Sequence, residues 1–245
     1  MARAIAALVA ALGIAACNAA VGDPSGSPAE APAPVDAGTP GGEEEDDGSG
    51  SPDAAPVERE LSQSASEEIA PQTGIACIEQ DDTTDPPTPV EHRENSYYRL
   101  FDLEALGVVG RLDVEEVSFG IESASSPEGS QPASLVLHAL SVDDFKVAQL
   151  TQLASVSLTI PNQGAGITTV PVAVSVPPGS KLAVELLVPE GDGTGRLFFI
   201  GANAAGQTGP TYLRAPACGV VEPTDMADIG FPDVHFVLTV SGTEY

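Results

Sequence analysis

The chain has 245 residues, with 9 Lys and Arg against 36 Asp and Glu, which gives a formal net charge of −27 at pH 7. This length suits one large all-β domain or two small ones. A chain this acidic repels nucleic acids and anionic lipid headgroups, so neither is expected as an electrostatic partner. Tryptophan is absent and aromatic residues make up only 4% of the chain, which is low for a protein that stacks sugars or bases.

Residues 1–16 contain one basic residue, Arg3, followed by an apolar run that is too short to span a bilayer but fits a signal peptide. The run ends in Ile14-Ala15-Ala16-Cys17, which resembles the lipobox of bacterial lipoproteins: one aliphatic residue, two small residues and a cysteine. The resemblance implies cleavage before Cys17, a diacylglycerol on its thiol, and a protein exported and anchored through that lipid to the bacterial cell envelope. The alternatives are an ordinary signal peptide that is cut without lipidation and an uncleaved anchor.

The three cysteines of the chain fit this interpretation. If Cys17 carries lipid, Cys77 and Cys218 remain, and an exported pair is expected to close as a disulfide in an oxidising compartment. The pair lacks the spacing of a zinc site. Asn18 stands where lipoproteins retained in the inner membrane carry Asp, so the resemblance also implies sorting to the outer membrane or the cell surface.

Residues 17–70 are rich in Ala, Pro, Gly, Ser, Asp and Glu and include an unbroken acidic run at 43–47. Such a composition lacks the branched and aromatic side chains that build a core. We therefore predict a disordered, lipid-anchored tether, whose mean end-to-end distance is roughly 40 Å for about 50 flexible residues. Residues 58–69 are assigned to this tether because they show no convincing apolar face.

Residues 71–245 show the period-two alternation of half-buried strands. The alternation is clear at 117–122, 155–160, 169–176, 182–188 and 234–240, and less regular at 97–103, 134–140 and 196–202. These segments predict an all-β domain, an antiparallel β-sandwich of about eight strands with a jelly-roll-like arrangement. Pro171 predicts a sheet edge, because proline cannot donate a hydrogen bond to a neighbouring strand.

No catalytic motif was found in the sequence. The three histidines have no serine or cysteine nucleophile placed beside them, and the motifs G-x-S-x-G, H-E-x-x-H and G-x-x-x-x-G-K-[ST] are missing. We expect the histidines to be exposed or hydrogen-bonded strand residues, and the protein not to be an enzyme.

Residues 198–232 read FFIGANAAGQTGPTYLRAPACGVVEPTDMADIGFP. The segments FFIGAN, GQTGPTYL, CGVVEPTD and IGFP resemble the C-terminal half of a poorly characterised β-sandwich domain of secreted bacterial proteins, with residues 95–242 covered. The resemblance implies a fold and an extracellular setting, and no reaction.

The long loop in this region predicts a site. The candidate ligand-binding residues are Asn203, Gln207, Tyr212 and Glu222, and the candidate calcium ligands are Asp225, Asp228 and Asp233, to which Glu222 would add a further oxygen. In the alternative, Thr224 and Asp225 cap a short helical turn at 225–229, and the disulfide holds the loop.

The sequence therefore favours a non-catalytic binding or adhesion module that recognises a glycan or an envelope protein. The alternatives are a purely structural envelope component and an accessory module of a secreted hydrolase system. No cofactor is expected apart from the calcium ion considered for the loop.

Overall fold

A computed structural model describes residues 6–10, 55–81, 83–85, 87–191 and 193–245. The lipobox cysteine Cys17, Asn18 and the tether up to residue 54 lie outside the described residues. The described part is almost entirely β-structure, with two single-turn 3-10 helices at Val147–Gln149 and Pro216–Cys218. The strands are β1 (Ala6–Ala10), β2 (Val57–Ser62), β3 (Ile75–Asp81), β4 (Thr88–His92), β5 (Asn95–Asp102), β6 (Leu112–Ser125), β7 (Ser130–Leu140), β8 (Thr151–Pro161), β9 (Gly166–Val176), β10 (Lys181–Val188), β11 (Leu197–Ile200), β12 (Ala202–Asn203), β13 (Thr211–Ala215), β14 (Val220–Asp225), β15 (His235–Phe236) and β16 (Leu238–Glu244).

Two antiparallel sheets form the body of the domain. One has six strands in the order β14-β13-β5-β10-β7-β8, and the other has five, in which β11, β16 and β9 pair with β6, and β2 pairs with β16. The core lies between the sheets, with Tyr97 and Val184 from the first and Val117, Phe119 and Val240 from the second, each no more than 1% exposed. The predicted all-β, sandwich-like fold is confirmed. None of the helices among the described residues has the length and apolar character needed to cross a membrane.

The alternating segments lie in the observed strands, and the alternation reflects burial. In β16, for example, every second residue is buried, and Leu238 and Val240 among them are core side chains. Pro171 lies in β9, which pairs with β6 and forms an edge of its sheet within the described part of the chain, as predicted. The segment predicted at 234–240 divides into β15 and β16, because the amide of Val237 donates to the carbonyl oxygen of Gly201 (3.0 Å) instead of continuing one ladder.

The predicted boundary at residue 71 is wrong, because the folded region begins earlier. Strand β2 pairs with β16 along its whole length and places Leu61 opposite Val240, where Leu61 is 4% exposed. Strand β2 buries only one apolar side chain, so its sequence pattern is too weak to identify it as a strand. It forms a strand because it pairs with β16. Further upstream, Ala6–Ala10 pairs antiparallel with β3, so the described residues 6–10 of the predicted signal peptide form a strand here.

The segment predicted as one long loop after Asn203 contains two strands. β13 and β14 extend the six-stranded sheet beyond β5, and the 3-10 turn between them carries Cys218. Cys218 forms a disulfide with Cys77 of β3, with a Cα–Cα distance of 5.9 Å. The predicted pairing is confirmed. The disulfide joins β3 to the turn between β13 and β14, at one edge of the six-stranded sheet.

Candidate functional site

The candidate ligand residues of the predicted loop do not form one site. The amide nitrogen of Asn203 donates to the carbonyl oxygens of Ser66 (2.9 Å) and Glu68 (3.0 Å). The side-chain oxygen of Gln207 accepts a hydrogen bond from Arg99 (2.9 Å). The side chain of Asn203 therefore holds the segment before β3, and the side chain of Gln207 holds the loop before β13 against Arg99. Both side chains have structural hydrogen bonds.

The predicted calcium ligands are not assembled into a metal site. Among the described residues, no group of three or more His, Cys, Asp or Glu side chains is placed to hold a metal ion. Asp233 lines a separate, small cavity of about 210 Å³ together with Gln72, Phe231 and Pro232. Asp225 accepts a hydrogen bond from the amide of Ala227 (2.9 Å), so it caps a turn. The capping alternative is correct for Asp225, although residues 226–230 form hydrogen-bonded turns and no helix.

Four of the predicted residues do lie in one region, on and just after β13 and β14: Tyr212, Glu222, Asp225 and Asp228. Tyr212 is the cross-strand neighbour of Asp225. Burial raises the pKa of the Tyr212 phenol, and the nearby carboxylates of Asp225 and Asp228 raise it further. The phenol is therefore neutral at pH 7, and it lies near the carboxyl groups of Asp225 and Asp228.

The loop after β7 completes this surface with an aromatic side chain. The ring of Phe145 contacts Tyr212 edge-on, with 4.7 Å between centroids, and Tyr98 at 5.5 Å. The amide of Val147 donates to a carboxylate oxygen of Glu222 (2.9 Å) and so fixes the loop across β13 and β14. We call Tyr98, Phe145, Tyr212 and Glu222 the aromatic face.

A buried polar row lies beneath the aromatic face. The Tyr98 hydroxyl donates to one carboxylate oxygen of Glu185 (2.9 Å), and Nε2 of His138 donates to the other (2.9 Å). His138 and Glu185 are each 8% exposed. Burial opposes the ionisation of Glu185, but its hydrogen bonds, above all the one from His138, outweigh that effect and lower its pKa.

Sequence reasoning missed this row, although the sequence contains a signal for it. Glu185 interrupts the apolar strand β10, and Tyr98 is its direct partner on β5. A lone carboxylate in a central strand needs a partner, because an unpaired buried charge is costly. The other two histidines, His92 and His235, are also hydrogen-bonded to backbone carbonyl oxygens, as predicted for structural histidines.

A second surface lies at the other edge of the six-stranded sheet, between its edge strand β8 and the strand β9 of the five-stranded sheet. It is an apolar groove of about 550 Å³, which we call the edge groove, and its lining includes Val156, Leu158, Ile160, Ile167 and Val170. The signal for it was also present in the sequence, since residues 147–180 contain no charged side chain in a chain that otherwise carries many.

The chain matches no protein-family model, and comparisons with curated proteins and with solved structures give no match either. The resemblance of residues 198–232 to a secreted β-sandwich domain therefore depends on the quoted motifs alone.

Proposed function

We propose that the protein is a lipid-anchored lipoprotein of the bacterial cell envelope whose β-sandwich is a non-catalytic binding module. The proposed anchor is supported by how the three cysteines are distributed. Cys77 and Cys218 form a disulfide with each other, and the one remaining cysteine is Cys17 of the lipobox. A disulfide between Cys77 and Cys218 agrees with folding in an oxidising compartment. The lipid on Cys17 would be the contact with the membrane.

The aromatic face is the surface proposed to bind. Phe145 and Tyr212 are partly exposed. Carboxylates lie nearby: Glu222 accepts a hydrogen bond from the amide of Val147, two residues after Phe145, and Asp228 is close enough to raise the pKa of Tyr212. Aromatic rings bind the apolar faces of sugars, and carboxylates accept hydrogen bonds from their hydroxyl groups. The strong negative charge of the chain disfavours anionic polymers, so the proposed ligand is a neutral glycan of the envelope or its surroundings.

The buried row supports a binding role over a catalytic one. His138 and Glu185 form a histidine–carboxylate pair of the kind that enzymes use, but both are almost fully buried within the sheet. A catalytic base has to come within hydrogen-bond reach of the proton that it removes from a substrate. The pair is therefore interpreted as a support that orients Tyr98 below Phe145.

Anchoring is tested by fractionating bacteria that express the full-length chain. The unaltered chain is expected in the membrane fraction and to incorporate labelled fatty acid, whereas Cys17→Ala should abolish the label. Asn18→Ala leaves both the lipobox cysteine and the disulfide intact, so it serves as the matched control and should retain the label. Equal labelling of the Cys17→Ala and unaltered chains would contradict the lipid anchor.

Binding is tested with the full-length chain, purified in a non-ionic detergent, on an array of neutral and anionic glycans. Tyr212→Ala and Phe145→Ala should each weaken binding to any neutral glycan at least tenfold, about the effect of losing one well-packed aromatic contact. Tyr245→Ala is the control, because Tyr245 is 52% exposed and contacts Arg111 away from β13. Unchanged binding of neutral glycans by both aromatic-face variants would contradict the assignment of the binding surface. If the unaltered chain binds no glycan, the alternative of a purely structural envelope component is favoured.

A further inference from the structure

The edge strands of the two sheets differ in how they are protected against pairing with another chain. Natural edge strands are blocked by charged side chains, prolines or bulges. Strand β2 carries Glu58, Arg59 and Glu60, and β14 carries Glu222 with Pro223. Both of these edges are therefore protected.

The remaining edges, β8, β9 and β11, carry no charge, and β11 is protected by its length of only four residues. β9 has Pro171 near its middle, which removes one backbone donor. In β8 the one proline is Pro161, at its last position, and the single irregularity in its pairing with β7 lies near Leu153. From Ala154 to Pro161 the register with β7 is continuous. Within the described part of the chain, β8 is thus the edge that lacks protection over a long, regular stretch.

The side chains of β8 also suit pairing. Ser155, Ser157 and Thr159 are exposed on one face, while Val156 and Leu158 are only partly buried and line the edge groove on the other. A strand added at this edge would satisfy the free backbone groups of β8 and cover apolar side chains that a single copy leaves open to water.

We propose that β8 pairs antiparallel with β8 of a second copy of this chain, around a two-fold axis at Ser157. The strand is nearly symmetric in residue type about that point: Ser155 would face Thr159 of the other copy, and Val156 would face Leu158. Cross-strand hydroxyl pairs and branched apolar pairs both stabilise antiparallel sheets. Two six-stranded sheets would join into one continuous sheet through an isologous contact.

The charge distribution favours a second copy as the occupant. Two chains of net charge −27 repel one another, and they approach at the lowest cost through surfaces without acidic side chains. Residues 147–180 form such a surface, with Lys146 and Lys181 at its ends. A basic partner would instead be drawn to the acidic remainder of the chain. This pairing goes beyond the proposed function and does not depend on the lipid or on a glycan.

The direct test is cysteine cross-linking of the full-length chain in exporting cells. Ser157→Cys places thiols at the two-fold axis, so oxidation should give a covalent dimer in high yield. Ala173→Cys is the matched control, because Ala173 is equally classed as exposed and lies on the uncharged neighbour β9. Equal cross-linking of the two variants, or none in Ser157→Cys, would overturn the proposal.

The register gives an independent check. Ser155→Cys and Thr159→Cys should each cross-link weakly alone and strongly when the two variants are co-expressed, because antiparallel pairing sets residue 155 opposite residue 159. Strong cross-linking of Ser155→Cys alone would indicate parallel pairing and would contradict the proposed axis.

A charge variant tests the same contact without cysteines. In sedimentation equilibrium of the detergent-solubilised chain, Ser157→Asp should weaken dimerisation about tenfold or more, because like charges opposite each other destabilise a strand pair. Ala173→Asp changes the net charge equally and should leave dimerisation unaltered. Salt should strengthen the dimer of the unaltered chain by screening its self-repulsion. A chain that sediments as a monomer at all salt concentrations, or pairs with a different protein in place of itself, would refute self-pairing.

Discussion

The guanidinium group of Arg99 donates to the carbonyl oxygen of Phe236 through both Nε (3.0 Å) and Nη2 (2.9 Å). Its remaining terminal nitrogen donates to Gln207 and to the carbonyl oxygen of Gly209 (2.9 Å). Arg99 is fully buried, and burial lowers its pKa to about 10, which leaves it charged at neutral pH. One side chain of β5 thus joins β15 and the loop before β13 from inside the domain.

Arg99→Met should reduce the free energy of unfolding by about 3 kcal/mol or more, because several buried carbonyl oxygens lose their donors. Urea unfolding followed by circular dichroism measures the change. Arg111→Met is the control: Arg111 has a half-exposed side chain that pairs with Asp113, and such a surface pair is worth about 1 kcal/mol or less. Equal losses in both variants would show that Arg99 does not join these segments.

Removal of the disulfide should destabilise the domain strongly. The bond joins residues separated by 141 positions, and closing a loop of that size in the unfolded chain corresponds to about 4 to 5 kcal/mol in the loop-entropy model. The Cys77→Ser, Cys218→Ser double variant should lose stability by up to that amount in urea. A reductant should destabilise the unaltered chain to the same extent and leave the double variant unaffected. Any other pattern would show that the lost stability does not come from this disulfide.

His92 should make the stability depend on pH. Burial lowers its pKa, although hydrogen bonds to the backbone oppose the shift, and Nδ1 has no hydrogen-bond partner among the described residues. The unfolded chain therefore binds a proton more readily than the folded one, with an unfolded pKa of about 6.5. The stabilisation is complete above that value and is lost as the pH falls through it toward the lower folded pKa.

The measurement for His92 is urea unfolding at pH 7.5 and pH 5.5, chosen on either side of that pKa of about 6.5. The unaltered chain should lose stability between the two, and His92→Gln should lose less, because glutamine still has a donor for the carbonyl oxygen of Pro189 but does not titrate. A pH dependence that is unchanged in His92→Gln would assign it to other groups.

The buried row should behave as one cooperative unit. Glu185→Gln replaces a charged acceptor that serves both Tyr98 and His138, and Tyr98→Phe removes one donor. Each single variant should cost about 1 to 3 kcal/mol, and the double variant should cost less than their sum because they share one hydrogen bond. Denaturation of all four chains gives the coupling energy, and strict additivity would show that Tyr98 and Glu185 act separately.

The fold class could be predicted because burial in this domain follows the period of the strands. Strand β16 buries every second residue, and Leu238 and Val240 among them carry the apolar pattern directly. Strand β2 could not be recognised in the same way, because it buries Leu61 between charged residues and depends on β16 for its stability. The strands β13 and β14 were missed because glycines and prolines around them indicate a loop when no partner strand is known.

The candidate site was predicted only in part for a related reason. Tyr212 and Glu222 come together because β13 and β14 are paired. Asp233 lies in the turn before β15 and lines a different cavity. Phe145 completes the surface from more than sixty positions upstream of Tyr212, about half the length of a typical domain. A linear sequence gives no distance between such segments. Arg99 did leave a signal, since it occupies the core-facing position between Tyr97 and Phe101 in β5.

The wide separation of Cys77 and Cys218 has a consequence for how the chain matures. In the export that we propose, the N-terminus leads, and at synthesis rates of about 5 to 20 residues per second the thiol of Cys77 would wait roughly 7 to 28 s for Cys218 to follow. During that interval the one other cysteine already exported is Cys17. Under the proposed anchor, the lipid on Cys17 acts as a protecting group that removes the competing thiol from disulfide exchange. The membrane anchor would then also secure the correct oxidative folding of the domain it carries.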